Sequence, residues 1–494
     1  MDFDLNSIKK FYYFKSTKNE TCFQNISEDT TLDLDLDFVF FKLDKTISKI
    51  GKQFFYSKFR IIEKETDVFH EKYLKYFKSS NSESIEDELN KINKFKDYEI
   101  IDLINDEIII NNKYLSFAKL STLTLLIVII LGAFVKQMFV FMIFIFSINA
   151  FYHYKNKSYV EYYNSIISRL QKTLSTANKI SKKSPIFTKE YSKINLKKLE
   201  NSIWMTNVAS QLSNNEFFVL FWLLFEVFQI TFNLEIFIFN RNAKILNNSK
   251  SELLKIFEYI GKIDSAINIV KIEKEYKTCK PIFNDEKLFE FVKIYHPLID
   301  NCIENDLELN QKSIVLTGSN MSGKTSFMRC IAINTIMAQS FNFCFAEKFK
   351  APFMQILSSI SIQDDINESK SYYLEEVLRI KNFLEAESGF NFILIDEIFR
   401  GTNTKERIAI SKAVLKSLNS SKNIVFITTH DLEIAKFLEN YDYELYYFAE
   451  DLNTKVMKFT YKLHHGINSK TNAIKLLEIH KYPKSIVEDS YRML

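Results

Sequence analysis

The chain has 494 residues, 47% of them hydrophobic, and 65 basic against 61 acidic side chains give a net charge of +4. That content excludes an intrinsically disordered, collagen-like or Gly/Ser-linker protein, and so small a positive excess is no sign of nucleic-acid binding. Only eight residues are Gly and five are Pro, which favours long helices over turn-rich sheets and makes each retained glycine informative. The five cysteines are odd in number, widely spaced and without a Cys-x-x-Cys pair. Neither a disulfide framework nor a zinc site is expected from them, and a reducing compartment is. The start, MDFDLNSIKK, has no apolar h-region, so no cleaved signal peptide is expected.

Residues 1–115 mix charged and apolar side chains at helical spacing, and Ser84–Asn105 reads as one amphipathic helix with a cap at Ser82–Ser84. Two apolar runs follow, Leu120–Val135 and Met138–Tyr152, separated only by Lys136 and Gln137. A membrane-crossing helix needs about 20 apolar residues. The first run alone spans roughly 24 Å at 1.5 Å per residue, and flanking Lys119, Tyr152, Tyr154 and Lys155 can extend the spans by snorkelling. A hairpin of two short membrane spans is the favoured reading; a buried helix pair and a single crossing remain open. Residues 156–275 again look helical and rich in Lys. Within them Phe217–Phe239 is apolar but holds Glu226 and Glu235, which are costly at mid-membrane. A long buried or interfacial helix is expected there in preference to a third span.

From about residue 280 short apolar runs stand directly before turn or cap residues: Ser313–Thr317, Phe390–Ile395 and Ile424–Thr428. Strands alternating with helices predict an α/β domain with a largely parallel sheet. The first run leads into Gly318-Ser319-Asn320-Met321-Ser322-Gly323-Lys324-Thr325, which fits G-x-x-x-x-G-K-[ST] at every defined position and is followed by a helical run from Ser326. This layout holds phosphates on backbone N–H groups at a helix N-terminus. Lys324 is expected to reach the β- and γ-phosphates of ATP, and Thr325 to hold Mg2+. The second run ends in Asp396-Glu397, where Asp396 would bind Mg2+ and Glu397 would orient or deprotonate the attacking water. The third run ends beside His430, which in this set would sense the γ-phosphate.

The segments TGSNMSGKTS, LIDEIFRGTNTKER and TTHDLEIA resemble the ATPase domain of the DNA mismatch-repair MutS family, and the run Arg400–Thr404 is similar to that family's own signature. Asp364-Asp365 followed by Ser371-Tyr372-Tyr373-Leu374-Glu375-Glu376 resembles the family's segment of two Asp, a gap, then Ser and a helix. The resemblance implies that Ser371 caps a helix whose N-terminus meets the γ-phosphate in the partner subunit. The end of the chain, around Gly466 and Pro483, and Leu34–Arg60, where Gly51 follows a short turn before a helix, are similar in a looser way. Ser322 stands where the family usually has a second Gly. No mismatch-reading domain or aromatic-x-Glu reading motif stands in its usual setting, so the resemblance carries the nucleotide chemistry and leaves mismatch recognition in doubt.

The expected organisation is therefore an N-terminal helical core segment (1–115), a transmembrane hairpin (116–155), a helical lever or core region with an apolar helix at 217–239 (156–279), and a C-terminal α/β P-loop ATPase domain (280–494). ATP is intracellular, so the ATPase domain is expected in the cytoplasm of a multi-pass protein of the cell membrane. Lys113, Lys119, Lys155 and Lys157 flank the hairpin as the positive-inside rule requires. The resemblance implies a homodimer joined through its ATPase domains, switched by ATP and binding mismatched or branched DNA. Lys172, Lys182, Lys183, Lys197 and Lys198 would contact phosphates, although a solvated face or attraction to anionic lipid explains them as well. The alternative is a membrane ATPase acting as transporter or adaptor with no DNA role.

Overall fold

Scarce Gly and Pro do produce long helices. In the computed structural model the described residues are 5–18, 22–63, 68–93, 99–196, 199, 219–319, 322–360, 372–386, 389–451, 458–467, 474, 477 and 481–493. The chain divides into two units. One comprises Met1–Thr17, Lys45–Phe55 and Phe69–Asn268; the other comprises Lys18–Asp44, Tyr56–Val68 and Ile269–Leu494. The helices that matter below are α1 (Leu5–Lys18), α2 (Glu28–Asp33), α3 (Lys49–Arg60), α4 (Asn112–Gly132), α5 (Met138–Ser181), α6 (Val219–Phe232), α7 (Leu234–Asn247), α8 (Lys250–Glu275), α9 (Lys324–Phe341), α10 (Tyr372–Leu384), α11 (Thr404–Leu418) and α12 (Leu432–Glu439).

The first unit is helical. Phe11 of α1 lies 6.1 Å from Phe54 of α3 and 4.5 Å from Phe257 of α8, ring centre to ring centre, and all three rings are buried. Asp264 of α8 is fully buried, yet its carboxylate accepts from the N–H groups of Ile47 (2.9 Å) and Ser48 (2.7 Å) and from the Ser48 hydroxyl (2.6 Å). It thus caps the start of α3, where donors are unpaired and the helix dipole favours an anion. Such closeness requires the glycine next to it, because a Cβ on Gly51 would fall 2.1 Å from Asp264 Oδ2. Gly51 therefore sits in the first turn of α3, just after the bend at 47–48. On the same packed face, a Cβ on Gly261 would meet Phe54 at 2.5 Å.

The two apolar runs form α4 and the start of α5, joined by a turn at 133–137, and α5 continues for 44 residues. Both helices are long and apolar enough to cross a membrane by length and composition. Their most apolar windows are only 28% and 11% buried, so their Leu, Ile and Phe side chains face outward. Residues 217–239 depart from the expected single helix. Residues 217 and 218 lie outside the described set, and the rest breaks at Asn233 (φ 52°) into α6 and α7, bent by 74°. A break frees carbonyls that water cannot reach in an apolar setting. Here Asn149 Nδ2 donates to Thr231 O (3.1 Å), Thr122 Oγ1 to Phe232 O (3.2 Å), and Asn233 Nδ2 to Thr122 Oγ1 (3.3 Å). The two carboxylates are paired as well, Glu235 with His153 at 2.9 Å and Glu226 with Lys157 at 3.0 Å. Of the predicted helix over Ser84–Asn105, the described part runs to Asn93, residues 94–98 lie outside the described residues, and Asp102–Asn105 forms a short turn of helix.

The second unit holds the strands: β1 (Cys22–Asn25), β2 (Ile61–Glu63), β3 (Ile282–Asn284), β4 (Leu288–Ile294), β5 (Asn305–Asn310), β6 (Ser313–Thr317), β7 (Lys348–Pro352), β8 (Met354–Ser359), β9 (Phe390–Asp396), β10 (Asn423–Thr428), β11 (Tyr443–Asp451) and β12 (Lys458–His465). Its main sheet has the order β12-β11-β6-β10-β9-β8, parallel except for β12. The three runs singled out in the sequence are its central strands. One face of the sheet packs α10, α11 and α12 through Ile380, Leu415 and Leu438 against Val315, Ile393 and Ile427. A smaller sheet, β3-β7-β4-β5, sends Phe289 against Phe392 and Phe426 of the main sheet, at 5.3 and 6.0 Å. Helix α9 is buried nearly all round, as expected of a core helix.

Candidate nucleotide site

Ligands bind open parallel sheets beyond the carboxyl ends of the strands, and there the second unit collects its polar residues. Strand β6 is buried throughout and releases the chain at Gly318 (φ 138°) into the loop that re-enters α9 at Gly323 (φ 100°). Side chains are excluded at both points. A Cβ would lie 3.0 Å from Ser322 Oγ and 3.3 Å from Phe448 O at Gly318, and 3.0 Å from Tyr461 Cδ1 at Gly323. Ser322, in the place of a second Gly, is buried there. Lys324 folds back along the loop, donating to the carbonyls of Gly318 and Ser319 at 2.8 Å each. Asn320 and Met321 lie outside the described residues. Ser326 follows Thr325 in the first turn of α9 and lines the same cleft.

Strand β9 brings Asp396 to this loop from 71 residues away, and Thr325 Oγ1 donates to Asp396 Oδ2 at 2.8 Å. Thr428, at the end of β10, donates its hydroxyl to the other oxygen, Oδ1. The next residue, Glu397, is left-handed (φ 54°), and so is Phe399 (φ 59°). Such backbone in non-glycine residues costs about 1–3 kcal/mol each and persists only where surroundings impose it. Its effect is to turn the Glu397 carboxylate toward His430 Nε2 (2.6 Å) and Arg400 Nε (2.8 Å). Burial opposes ionisation of Glu397, but the His430 hydrogen bond and the charges of His430, Arg400 and Lys324 outweigh it and hold the carboxyl below its usual range.

A cleft of about 530 Å3 opens over these groups. Lys324, Thr325, Asp396 and Glu397 line it together with His296, Phe448 and Tyr461. Burial and the charge of Arg329 push His296 down to about 4, so its ring is neutral near pH 7. Its Nδ1 accepts from Leu298 N at 3.2 Å.

Tests of fit favour a Mg2+-bound nucleoside triphosphate. The hydroxyls of Ser319 and Ser322 are buried in the loop without a hydrogen-bond partner among the described residues, and buried hydroxyls seek acceptors such as phosphate oxygens. Thr325 and Asp396 offer a hydroxyl and a carboxylate, few and hard ligands of the kind Mg2+ uses when phosphates supply the rest. Among the described residues no group of three His, Cys, Asp or Glu side chains is placed to hold a metal by itself.

The structure thus brings together Lys324, Thr325, Asp396, Glu397 and His430. Ser371, with Asp364 and Asp365, lies outside the described residues. Arg400 was visible in the sequence as part of the run after the carboxylates, but only the fold shows it on Glu397. Thr428, His296 and Tyr461 carried no sequence signal, since each reaches the site through a different strand or loop.

Residues 314–494 match the family model described as MutS domain V. The chain is 27% identical over 268 residues to the DNA mismatch repair protein MutS of Acholeplasma laidlawii, covering 53% of this chain and 32% of that protein. It is 27% identical over 272 residues to the corresponding protein of Thermotoga maritima, covering 52% and 33%. To MutS protein homolog 4 of Mus musculus it is 31% identical over 255 residues, covering 48% and 26%. The chain thus spans about a third or less of the length of these curated relatives. A parallel P-loop sheet, the run after its carboxylate strand and these matches agree that residues 314–494 form a domain similar to MutS domain V.

Proposed function

We propose that the protein binds and hydrolyses ATP with Mg2+, dimerises through its ATPase domains, and acts on DNA from a membrane. The observation that carries the ATPase reading is the convergence of Thr325, Asp396, Glu397 and His430 on the end of a loop whose backbone can cradle phosphates. Lys324 would exchange its two loop carbonyls for β- and γ-phosphate oxygens. Thr325 and Asp396 would hold Mg2+, which supplies charge neutralisation at the phosphates. Glu397, ionised and held by His430 and Arg400, would align the attacking water and accept its proton. Ser371 of the partner subunit would complete the γ-phosphate end. The test is Glu397→Gln. ATP turnover should fall by about 10²-fold or more, in the range ascribed to general-base catalysis, while ATP binding is retained. Unchanged turnover rejects the role.

Membrane anchoring is supported by the outward-facing apolar side chains of α4 and α5, such as Ile130 and Phe144. DNA as ligand rests on the likeness of residues 314–494 to MutS domain V and on relatives named as mismatch repair proteins. A second reading, a membrane ATPase without a DNA role, is favoured by the polar cluster of Asn149, His153, Glu226 and Glu235 among apolar helices. Binding of mismatched, branched and plain duplexes at low salt separates the two. If none binds and none alters turnover, the DNA reading fails.

A further inference from the structure

One buried carboxylate of the second unit takes no part in the chemistry assigned above. Glu376 lies on α10 and is 2% exposed. Its Oε1 accepts the backbone N–H of Phe399 at 2.6 Å, and its Oε2 is buried with no hydrogen-bond partner among the described residues. Burial pushes its carboxyl up, against the Phe399 hydrogen bond and the charges of Arg400 and Arg379. An unpaired carboxylate oxygen is a costly way to fill a core position. The segment it grips is the one that aims Glu397, because both Glu397 and Phe399 are left-handed. Two backbone hydrogen bonds hold this turn against strain, Glu397 N to Thr428 O at 3.2 Å and Phe399 N to Glu376 Oε1. Tyr373, one helical turn before Glu376, packs on the Phe399 ring at 6.1 Å. Arg379 of the same helix pairs with Asp33 and Asp29 of α2, at 3.2 Å each, and Asp33 is fully buried. Helix α10 is thus clamped to α2 through Arg379 and to the Glu397 turn through Glu376.

We propose that Glu376 is a positioning residue that ties the setting of α10 to the aim of the Glu397 carboxylate. The inference rests on the ATPase reading above, in which residues at the start of α10 meet the nucleotide of the partner subunit. Glu376 then makes hydrolysis in one protomer depend on nucleotide engagement by its own α10 across the dimer.

The test is steady-state ATP turnover and ATP binding by the full chain in detergent, for Glu376→Ala, Glu376→Gln, Ser371→Ala, the Glu376→Ala/Ser371→Ala double variant and Glu397→Gln. Misplacing a catalytic group by about 1 Å can cost about 10²-fold. Glu376→Ala should therefore lower kcat by about fivefold or more, with ATP affinity within about threefold of the parent. Glu376→Gln keeps the acceptor for Phe399 N–H and should restore most of the rate. The double variant should be no slower than the slower single variant. If Glu376→Ala fails to fold, Glu376→Asp, which withdraws the acceptor by one methylene, takes its place. A smaller loss of kcat, a Gln variant as slow as Ala, or losses that multiply in the double variant each overturn the proposal. If Glu397→Gln turns over normally, the ATPase reading itself has failed; if it is inactive while Glu376→Ala is normal, only this inference has.

Discussion

The two units use the same residue types for opposite ends. In the strand-bearing unit Ile, Val and Phe fill the space between sheet and helices, and polar residues gather where the strands stop. In the helical unit α4 and α5 turn Leu, Ile and Phe outward, and the polar side chains Asn149, His153 and Glu235 lie within. A core must be apolar when the surroundings are water. Where they are hydrocarbon, helices gain nothing by hiding Leu, and association rests on packing and polar contacts. On the proposed membrane reading, hydropathy alone assigns no side chain to the inside; the solvent of each unit would.

Changes made in one unit should leave the other's property untouched, and this contrast can be broken. Lys324→Ala should have the largest effect. Loss of the cation at the phosphates should lower ATP turnover by about 10²-fold or more, with the protein still recovered with membranes. Next, replacing Ile127, Ile130, Phe141 and Phe144, each 49% exposed or more, by Gln should release the protein into the soluble fraction with its ATP affinity unchanged. Recovery of the unaltered protein without detergent would refute the membrane reading outright. Third, Gly261→Ala forces a methyl group against Phe54 and should destabilise the helical unit by about 1–3 kcal/mol, the usual cost of overpacking. Thermal unfolding measures it, and nucleotide affinity should not change.

The smallest effect concerns pH. The folded-state pKa of Glu397 is depressed, so the stability and ionisation it contributes are present above the unfolded value, about 4.3, and are lost as pH falls through the lower folded value. The acid limb of turnover due to Glu397 should therefore lie below the ordinary carboxylate range. Arg400→Ala removes one of the charges that lowers the value and should move that limb to higher pH by less than about one unit, because Arg400 is half exposed. A limb that stays in place in the pH–rate profile would show that Arg400 does not tune Glu397.

What the sequence determined by itself was the local part. A phosphate loop is written in contiguous residues because backbone N–H groups and a helix start do the binding, so Gly318–Thr325 was readable before any contact was known. The same holds for buried strands ending in Asp396 and Thr428, and for two apolar runs joined by a short turn. Tertiary structure alone decided which distant residues meet. It set Thr325 against Asp396, His430 and Arg400 on Glu397, and Glu376 under Phe399. It also broke the apolar segment at Asn233, where hairpin side chains satisfy the freed carbonyls, and put Gly51 and Gly261 under Asp264 and Phe54. These outcomes depend on the direction in which a side chain leaves a strand end or helix face. Packing across the fold sets that direction, and no spacing along the chain records it.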